Sequence, residues 1–378
     1  MRIRVINSLQ QLSPEAWNKL AGTKNPFVRY EFLNALEDSG CVCAETGWYP
    51  QHLLLEDDAN ELIAAAAMYL KTHSYGEYVF DWAWADAYER SGHAYYPKLV
   101  GATPFSPVTG PRILAPALTA EIVQALSTGA RELADARGAS SVHWLFTPPE
   151  LNQQLLENGY LQRTGFQYHW QNRDYQDFDD FLADFSSDKR KKVRRERRLV
   201  REQGVRMEIV EGANMTDTLW DRFYEFYRST IVNHGAIAYL NREFFGELGR
   251  NLADAVVMVF AWQGEECIAG SINLKGDDAL YGRYWGSDRF VDQLHFETCY
   301  YTAIEYCIAN GLQRFEAGAQ GGHKLSRGFL PTPTYSMHWL RHPEFSDAVE
   351  RYLQQEQDGI EYQLNELNEH TPFKGHCE

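Results

Sequence analysis

Between Tyr281 and Phe329 the sequence gathers side chains that move protons and hold anions. Glu316 falls in a strand-like run, Phe315 to Ala319, just before a glycine-rich stretch. A carboxylate there could deprotonate an incoming ammonium directly or through water, or it could pair with Arg283 or Lys324 to hold a sheet together. His323 is the second proton carrier, since imidazole titrates near neutral pH; it could equally position a substrate. Gly318, Gly321 and Gly322 can present successive main-chain amides to a phosphate or carboxylate, with Lys324 and Arg327 adding positive charge. Tyr281 and Arg283 alternate onto one face of a strand and, with Trp285, could line the same cleft; core packing explains the tyrosines almost as well.

These residues need a scaffold, and the chain is long enough for two. At 378 residues it exceeds the size at which one core usually stops growing, and its composition, 44% hydrophobic and 23% charged, is that of an ordinary folded protein. Tyr30 to Asp38 reads as a helix, followed by Leu53 to Glu56, a polar turn and Leu62 to Leu70. Asn241 to Leu252, Val256 to Ala261, an acidic turn and Cys267 to Leu274 repeat that order, with an Ile-Ala step after each turn (Ile63-Ala64 and Ile268-Ala269). A helix Glu121 to Ala136 leads into the strand Val142 to Phe146, as Phe296 to Ala309 leads into Phe315 to Ala319. The composition shifts near residue 175, so two successive halves, 1–175 and 176–378, are predicted, differing mainly in an insertion, residues 71–112.

The second half opens on a cationic run. Lys189 to Arg201 holds nine cations and one acid in thirteen residues of a chain whose formal net charge is −16. Ser186, Ser187 or Asp188 can cap its start and Gly204 its end, and Val193 and Val200 lie seven apart, so a helix over 188–203 with one narrow apolar stripe is predicted. Its charges either pair with acidic surface of the same protein or meet phosphates, of coenzyme A, a lipid pyrophosphate or an RNA backbone. Elsewhere the acidic balance argues against general nucleic-acid or membrane-surface binding. Six cysteines show no paired ligand spacing, Cys41/Cys43 and His338/His342 have no further residues at ligand spacing, and no metal site or disulfide framework is expected. No signal-peptide core or bilayer-spanning run is found, so a cytoplasmic protein without a transmembrane segment is expected. Walker, dinucleotide and nucleophile-elbow motifs are absent.

The segment Ser187-Asp188-Lys189-Arg190-Lys191-Lys192-Val193-Arg194-Arg195 resembles the Fem-like branch of the GNAT superfamily. So do the blocks Tyr284-Trp285-Gly286-Ser287-Asp288, Leu294-His295-Phe296-Glu297 and Phe315 to Phe329. Asn25-Pro26-Phe27 and Phe105 to Arg112 extend the likeness over nearly the whole chain. The resemblance implies an α/β (α+β) fold of two tandem GNAT-like domains, each a mixed, mostly antiparallel sheet flanked by helices. It implies an N-acyltransferase with no tightly bound cofactor, its donor an acyl-CoA or an aminoacyl-tRNA. The acceptor would be a small-molecule or peptide amine, with a cell-wall connection. The long coiled-coil arm of the cross-bridge enzymes is missing, which weighs against aminoacyl-tRNA.

Such transfer needs an unprotonated amine, a donor carbonyl held in line, a hydrogen bond to the developing oxyanion and a proton for the leaving group. The resemblance points to a main-chain amide at a splay between the strands ending near Trp285 and beginning near Phe315. Glu316, His323 and Tyr281 are then the expected catalytic residues. Gly318, Gly321, Gly322, Lys324 and Arg327, with Arg194 and Arg195, would hold the donor, and a tRNA could follow the basic helix. Arg283 and Trp285 would meet substrate. Tyr75, Asp81, Trp82, His93 and Tyr96 lie in an insertion too long for a connector and are expected to wall the acceptor pocket. Thr109 and Arg112 could bind an acceptor carboxylate or belong to a turn stiffened by Pro107 and Pro111. Arg228 and His234 are expected near the cleft. The competing expectation is a muropeptide- or RNA-binding protein that keeps the fold without the chemistry.

Overall fold

The computed structural model describes residues 1–233, 235–319 and 321–374; His234, Gln320 and Cys377 lie outside the described residues. Its strands, in chain order, are β1 (Arg2–Ile6), β2 (Trp48–Pro50), β3 (His52–Glu56), β4 (Leu62–Ala66), β5 (Met68–Lys71), β6 (Lys98–Gly101) and β7 (Ser141–Leu145), then β8 (Leu161–Gln171), β9 (Val205–Glu211), β10 (Val256–Gln263), β11 (Glu266–Lys275), β12 (Ala279–Ser287), β13 (Arg314–Glu316) and β14 (Leu330–Leu340). Among the described residues no helix is long and apolar enough to cross a membrane.

The chain divides into two compact units, one of Met1–Phe166 with Pro333–Gln363, the other of Gln167–Thr332 with the residues from Leu364 on. The sequence expectation of a joint at 175 gave residues 333–363 to the second half, whereas they fold with the first. The reason is a non-local pairing: Ser336 to Leu340 of β14 run antiparallel against Leu145 to Ser141 of β7 and add a strand to the first unit's sheet.

In the first unit β1, β3 and β4 form a small antiparallel sheet, while β2, β5, β6, β7 and β14 follow one another in a second. The apolar run Leu62 to Leu70, expected as one strand, is divided between the two sheets. Ala65 bridges to Leu114 in both directions (2.9 and 2.7 Å), and the chain changes sheet at Ala67. The helix Ala120–Ala136 lays Val123, Leu126, Ala130 and Leu133, spaced by three and four, onto Leu53, Leu55, Leu99 and Trp144.

The second unit orders its strands β8, β13, β12, β11, β10, β9, antiparallel except for the β12–β13 pair. β10 and β11 form the expected hairpin, closed at Gly264 with φ +60°. Val256 to Ala261 is wholly buried, and the helix Asp217–Asn233 contributes buried Trp220, Phe223, Phe226 and Tyr227. Its backbone comes so close to β12 that a Cβ on Gly286 would lie 2.0 Å from the Phe226 carbonyl oxygen and 2.7 Å from Thr230 Oγ1. Gly286→Ala is therefore expected to cost about 1–3 kcal/mol, read as a lowered denaturant midpoint at unchanged slope.

The basic segment forms the helix Ser187–Glu202, with Val193, Glu196 and Val200 buried. The helical stretch after β12 runs Leu294–Phe296, a π-helical turn Glu297–Tyr301, then Thr302–Ala309.

Candidate active site

β12 and β13 run parallel for only three residue pairs, Ala279 with Arg314, Leu280 with Phe315 and Tyr281 with Glu316. β13 was expected to run to Ala319 but ends at Glu316, while β12 continues to Ser287, so the two strands part. On its other edge β12 slips register against β11: Tyr284 faces Ile272 but Gly282 faces Asn273, leaving Arg283 in a bulge. A bulge takes main-chain groups out of the ladder, and bulges concentrate beside active sites.

A pocket of about 80 Å³ lies at this gap. Gly282, Arg283, Tyr284 and Trp285 of β12 line it, with Ser271 and Asn273 of β11 and Ala317 just beyond β13. The remaining wall is helical: His295 and Cys299, one turn apart, and Tyr300. Cys299 and Tyr300 belong to the π turn, a distortion frequent at functional sites.

Tyr300 joins the pocket to His323, its hydroxyl sharing a 2.9 Å hydrogen bond with Nε2 of the imidazole. The His323 ring is exposed and lies 6.0 Å from the ring of His295. Partial burial, then the charges of Arg327 and Lys324, hold His323 below the usual histidine range. Deeper burial takes His295 to about 4. Both shifts favour the neutral ring. Burial keeps the Tyr300 phenol and the Cys299 thiol protonated well above their ordinary ranges, so the thiol is no ready nucleophile. Lys324 is buried and pushed down to about 8, and it donates to the Gly318 carbonyl at 2.7 Å. That bond ties down a loop in which Gly318 (φ +86°) and Gly321 (φ +119°) adopt conformations suited to glycine; Gly322 opens the 3₁₀ turn Gly322–Arg327.

Other expected site residues stand elsewhere in the second unit. Glu316 is buried, outside the pocket lining, and accepts from Arg314 at 2.9 Å, with Arg283 adding electrostatic attraction. Burial raises it to about 7 against the pull of Arg314, and its Oε2 faces His169 Nε2 at 3.9 Å. Tyr281 is buried on the same side, its hydroxyl accepting from Arg314 at 3.2 Å. The guanidinium of Arg327 is enclosed. It donates to the His323 carbonyl (2.7 Å) and to Glu196 (2.9 Å) and lies 3.4 Å over the Phe296 ring, so its charge faces the protein interior rather than an incoming anion. Arg194 pairs with Asp179 at 2.8 Å, Arg195 is exposed, and neither lines the pocket.

In the first unit Tyr75 and Trp82 are partly exposed and meet edge to face at 5.1 Å. Tyr96 shares a 2.9 Å hydrogen bond with Ser74, and His93 stacks on His342 at 4.8 Å. The Thr109 carbonyl accepts from Asn25 at 3.4 Å. Asp81 and Arg112 are not disposed as substrate ligands. Asp81 is buried between Lys98 and the Tyr95 hydroxyl, and Arg112 is buried with its guanidinium donating to the carbonyls of Leu145 and Val108. His338, read as structural, is buried with Nδ1 at 2.6 Å from Nδ1 of His143.

Sequence reading did not assign roles to His295, Cys299 or Tyr300, although His295 and Cys299 carry an i, i+4 signature on a helix that follows the key strand. It also missed Lys98, which has no motif around it.

Over residues 8–375 the sequence matches the FemAB-like family, described as peptidoglycan biosynthesis/recognition. FemX superposes with a TM-score of 0.56 at 13% identity, over 93% of this chain and 100% of its own. The C-terminal domain of a lysylphosphatidylglycerol synthetase from Agrobacterium fabrum also gives 0.56, at 8% identity over 90% of this chain and 95% of its own. L-PGS from Bacillus licheniformis gives 0.51, at 10% identity over 84% and 95%. At these identities the likeness is one of fold, the tandem GNAT-like α/β architecture expected from sequence. No curated protein matches the chain.

Proposed function

Because the chain belongs to the FemAB-like family, we propose that its second unit is an N-acyltransferase, moving an acyl or aminoacyl group from a thioester or aminoacyl-tRNA to an amine on a cell-wall-related molecule in the cytoplasm. The observation that carries this reading is the pocket where β12 and β13 part, with the Tyr300–His323 pair in and beside its wall. The donor carbonyl enters the gap, and a main-chain amide of the bulged stretch of β12 meets the oxyanion. The acceptor nitrogen attacks, the C–N bond forms, and the bond to the carrier breaks. His323, whose neutral form is favoured by partial burial and by Arg327 and Lys324, takes the proton released by the amine, and Tyr300 relays one to the departing thiol or hydroxyl. Gly318, Gly321 and Gly322, held by Lys324, support the donor's polar end. Arg195 and its exposed neighbours on the basic helix are available to donor phosphates.

Glu316 has a structural part in this scheme. Glu316→Gln should leave kcat/KM within a few-fold of wild type and lower stability by about 1–3 kcal/mol, as a buried charged hydrogen bond to Arg314 is weakened. A thousand-fold loss of rate with unchanged stability would return the base to Glu316.

The reading as a whole is tested by incubating the purified chain with acetyl-CoA or charged tRNA and muropeptide amines, and following the product by mass spectrometry. Acylated amine formed in proportion to enzyme supports it. Binding of muropeptide without transfer from either donor would mark a binding protein instead.

A further inference from the structure

Within the cationic run Lys189 to Arg201 stands one acid, Glu196, and it faces inward, only 6% exposed. Its two oxygens reach two different elements. Oε2 accepts from the hydroxyl of Tyr301, the last residue of the π turn, and Oε1 accepts from Arg327 at 2.9 Å. Arg327 ends the 3₁₀ turn that bears His323 and donates to the His323 carbonyl at 2.7 Å. Building on the acyl-transfer reading, we infer that Glu196 is a positioning residue: it holds the two turns together and so fixes the Tyr300–His323 pair.

The bonds suit that part better than a purely structural one. A buried ion pair is often no more stabilising than apolar residues of the same volume, so stability alone does not call for it. What it supplies is direction, because a guanidinium donates through a planar fork and a carboxylate accepts on both oxygens. The Arg327 fork sends Nη2 to Glu196 and Nη1 to the His323 carbonyl, and its central carbon lies 3.4 Å from the ring centre of Phe296, the residue before the π turn. Arg197, next on the helix, bonds Glu297 at 2.8 Å, so the helix grips the π turn at its first and last residues. Between them sit Cys299 and Tyr300. The Tyr300–His323 bond is 2.9 Å long; a shift of about 1 Å takes it out of hydrogen-bond range and can cost about 10²-fold in rate.

Charge gives the inference a sign. Tyr300, His295, Lys324 and Arg327 face the His323 ring, and burial with the charges of Arg327 and Lys324 holds it below the usual histidine range. Glu196 is faced by Arg327, Tyr301 and, at 3.9 Å, Lys192. Loss of the carboxylate leaves a buried guanidinium without its counter-charge; it turns toward water and away from His323, and the imidazole pKa rises. The direct effect of removing a negative charge is the opposite, a fall.

The test is NMR titration of the His323 ring in the full chain labelled at histidine, the signal assigned through His323→Gln, alongside kcat and KM for transfer. In Glu196→Gln the imidazole pKa should rise by about half a unit or more. In the same variant kcat should fall about 10- to 100-fold, with KM within about threefold of wild type. Adding Arg327→Met should raise the pKa no further than Arg327→Met alone, since both substitutions act through one guanidinium. Glu196→Asp keeps the charge on an arm one carbon shorter; it should reproduce the fall in kcat, and it stands in if the glutamine variant does not fold. A pKa that falls or stays put in folded Glu196→Gln, or a wild-type kcat in Glu196→Asp, would overturn the inference. Should no donor give transfer, the acyl-transfer reading fails, and the imidazole shift alone decides whether Glu196 holds His323.

Discussion

His323→Ala is expected to lower kcat/KM for transfer by about 10²- to 10⁴-fold, the usual effect of losing a positioned proton carrier, while barely moving the unfolding midpoint. The two readouts separate because the ring is exposed and, among the described residues, its side chain hydrogen-bonds to Tyr300. The pH dependence has a definite sign. Partial burial and the charges of Arg327 and Lys324 favour the neutral imidazole, so the base form persists below the ordinary histidine value near 6.5. The His323-dependent limb of kcat/KM should therefore have its midpoint below the ordinary histidine value. Arg327→Met removes one of those charges and should move that limb to higher pH, although it also leaves Glu196 with the hydroxyl of Tyr301 and the more distant Lys192. A limb unmoved in a folded Arg327→Met protein would show that another group controls it.

The largest stability loss is expected in the first unit. Lys98 is completely buried, and its ammonium donates to Glu77 (2.7 Å), Ser74 (2.7 Å) and Asp81. Burial alone would lower its pKa, but the two carboxylates override that and raise it; in return burial would raise Asp81, but Lys98 holds it well below the usual carboxylate range. Lys98→Met leaves two carboxylates in the interior without their cation and should cost about 3–5 kcal/mol, a large share of the 5–15 kcal/mol that holds a typical domain. Adding Glu77→Gln and Asp81→Asn to the same protein should restore much of the loss, because the penalty is that of unpaired charge rather than of lost packing. Denaturant unfolding of the single and triple variants measures both. A triple variant no more stable than Lys98→Met would mean that shape, not charge, dominates there.

What could be read ahead of the structure follows from range. The helices Tyr30–Asp38 and Arg242–Asn251 and the β10–β11 hairpin are local patterns of spacing, caps and turns, and they lie where periodicity puts them. The allegiance of β14 to the first unit rests on hydrogen bonds to residues nearly two hundred positions away, and no local signal announces it. The block Tyr284 to Phe329 pointed to the right stretch of chain for a pocket, but not to which faces meet. Glu316 and Tyr281 share a register on the paired part of β12 and β13, and the pocket begins one residue later, where pairing stops. Arg112 and Arg327 illustrate a second limit: a sequence shows that a guanidinium is present but not that carbonyls or a buried glutamate already surround it.

The most direct measurement is a crystal structure of the chain with the ketone analogue of acetyl-CoA. The account predicts the acyl carbonyl lodged where β12 and β13 part, its oxygen within hydrogen-bond reach of a main-chain amide of residues 282–285, with Tyr300 and His323 facing the departing sulfur. An analogue bound anywhere else in the chain, with the pocket between Gly282, Cys299 and Ala317 unfilled, would contradict it.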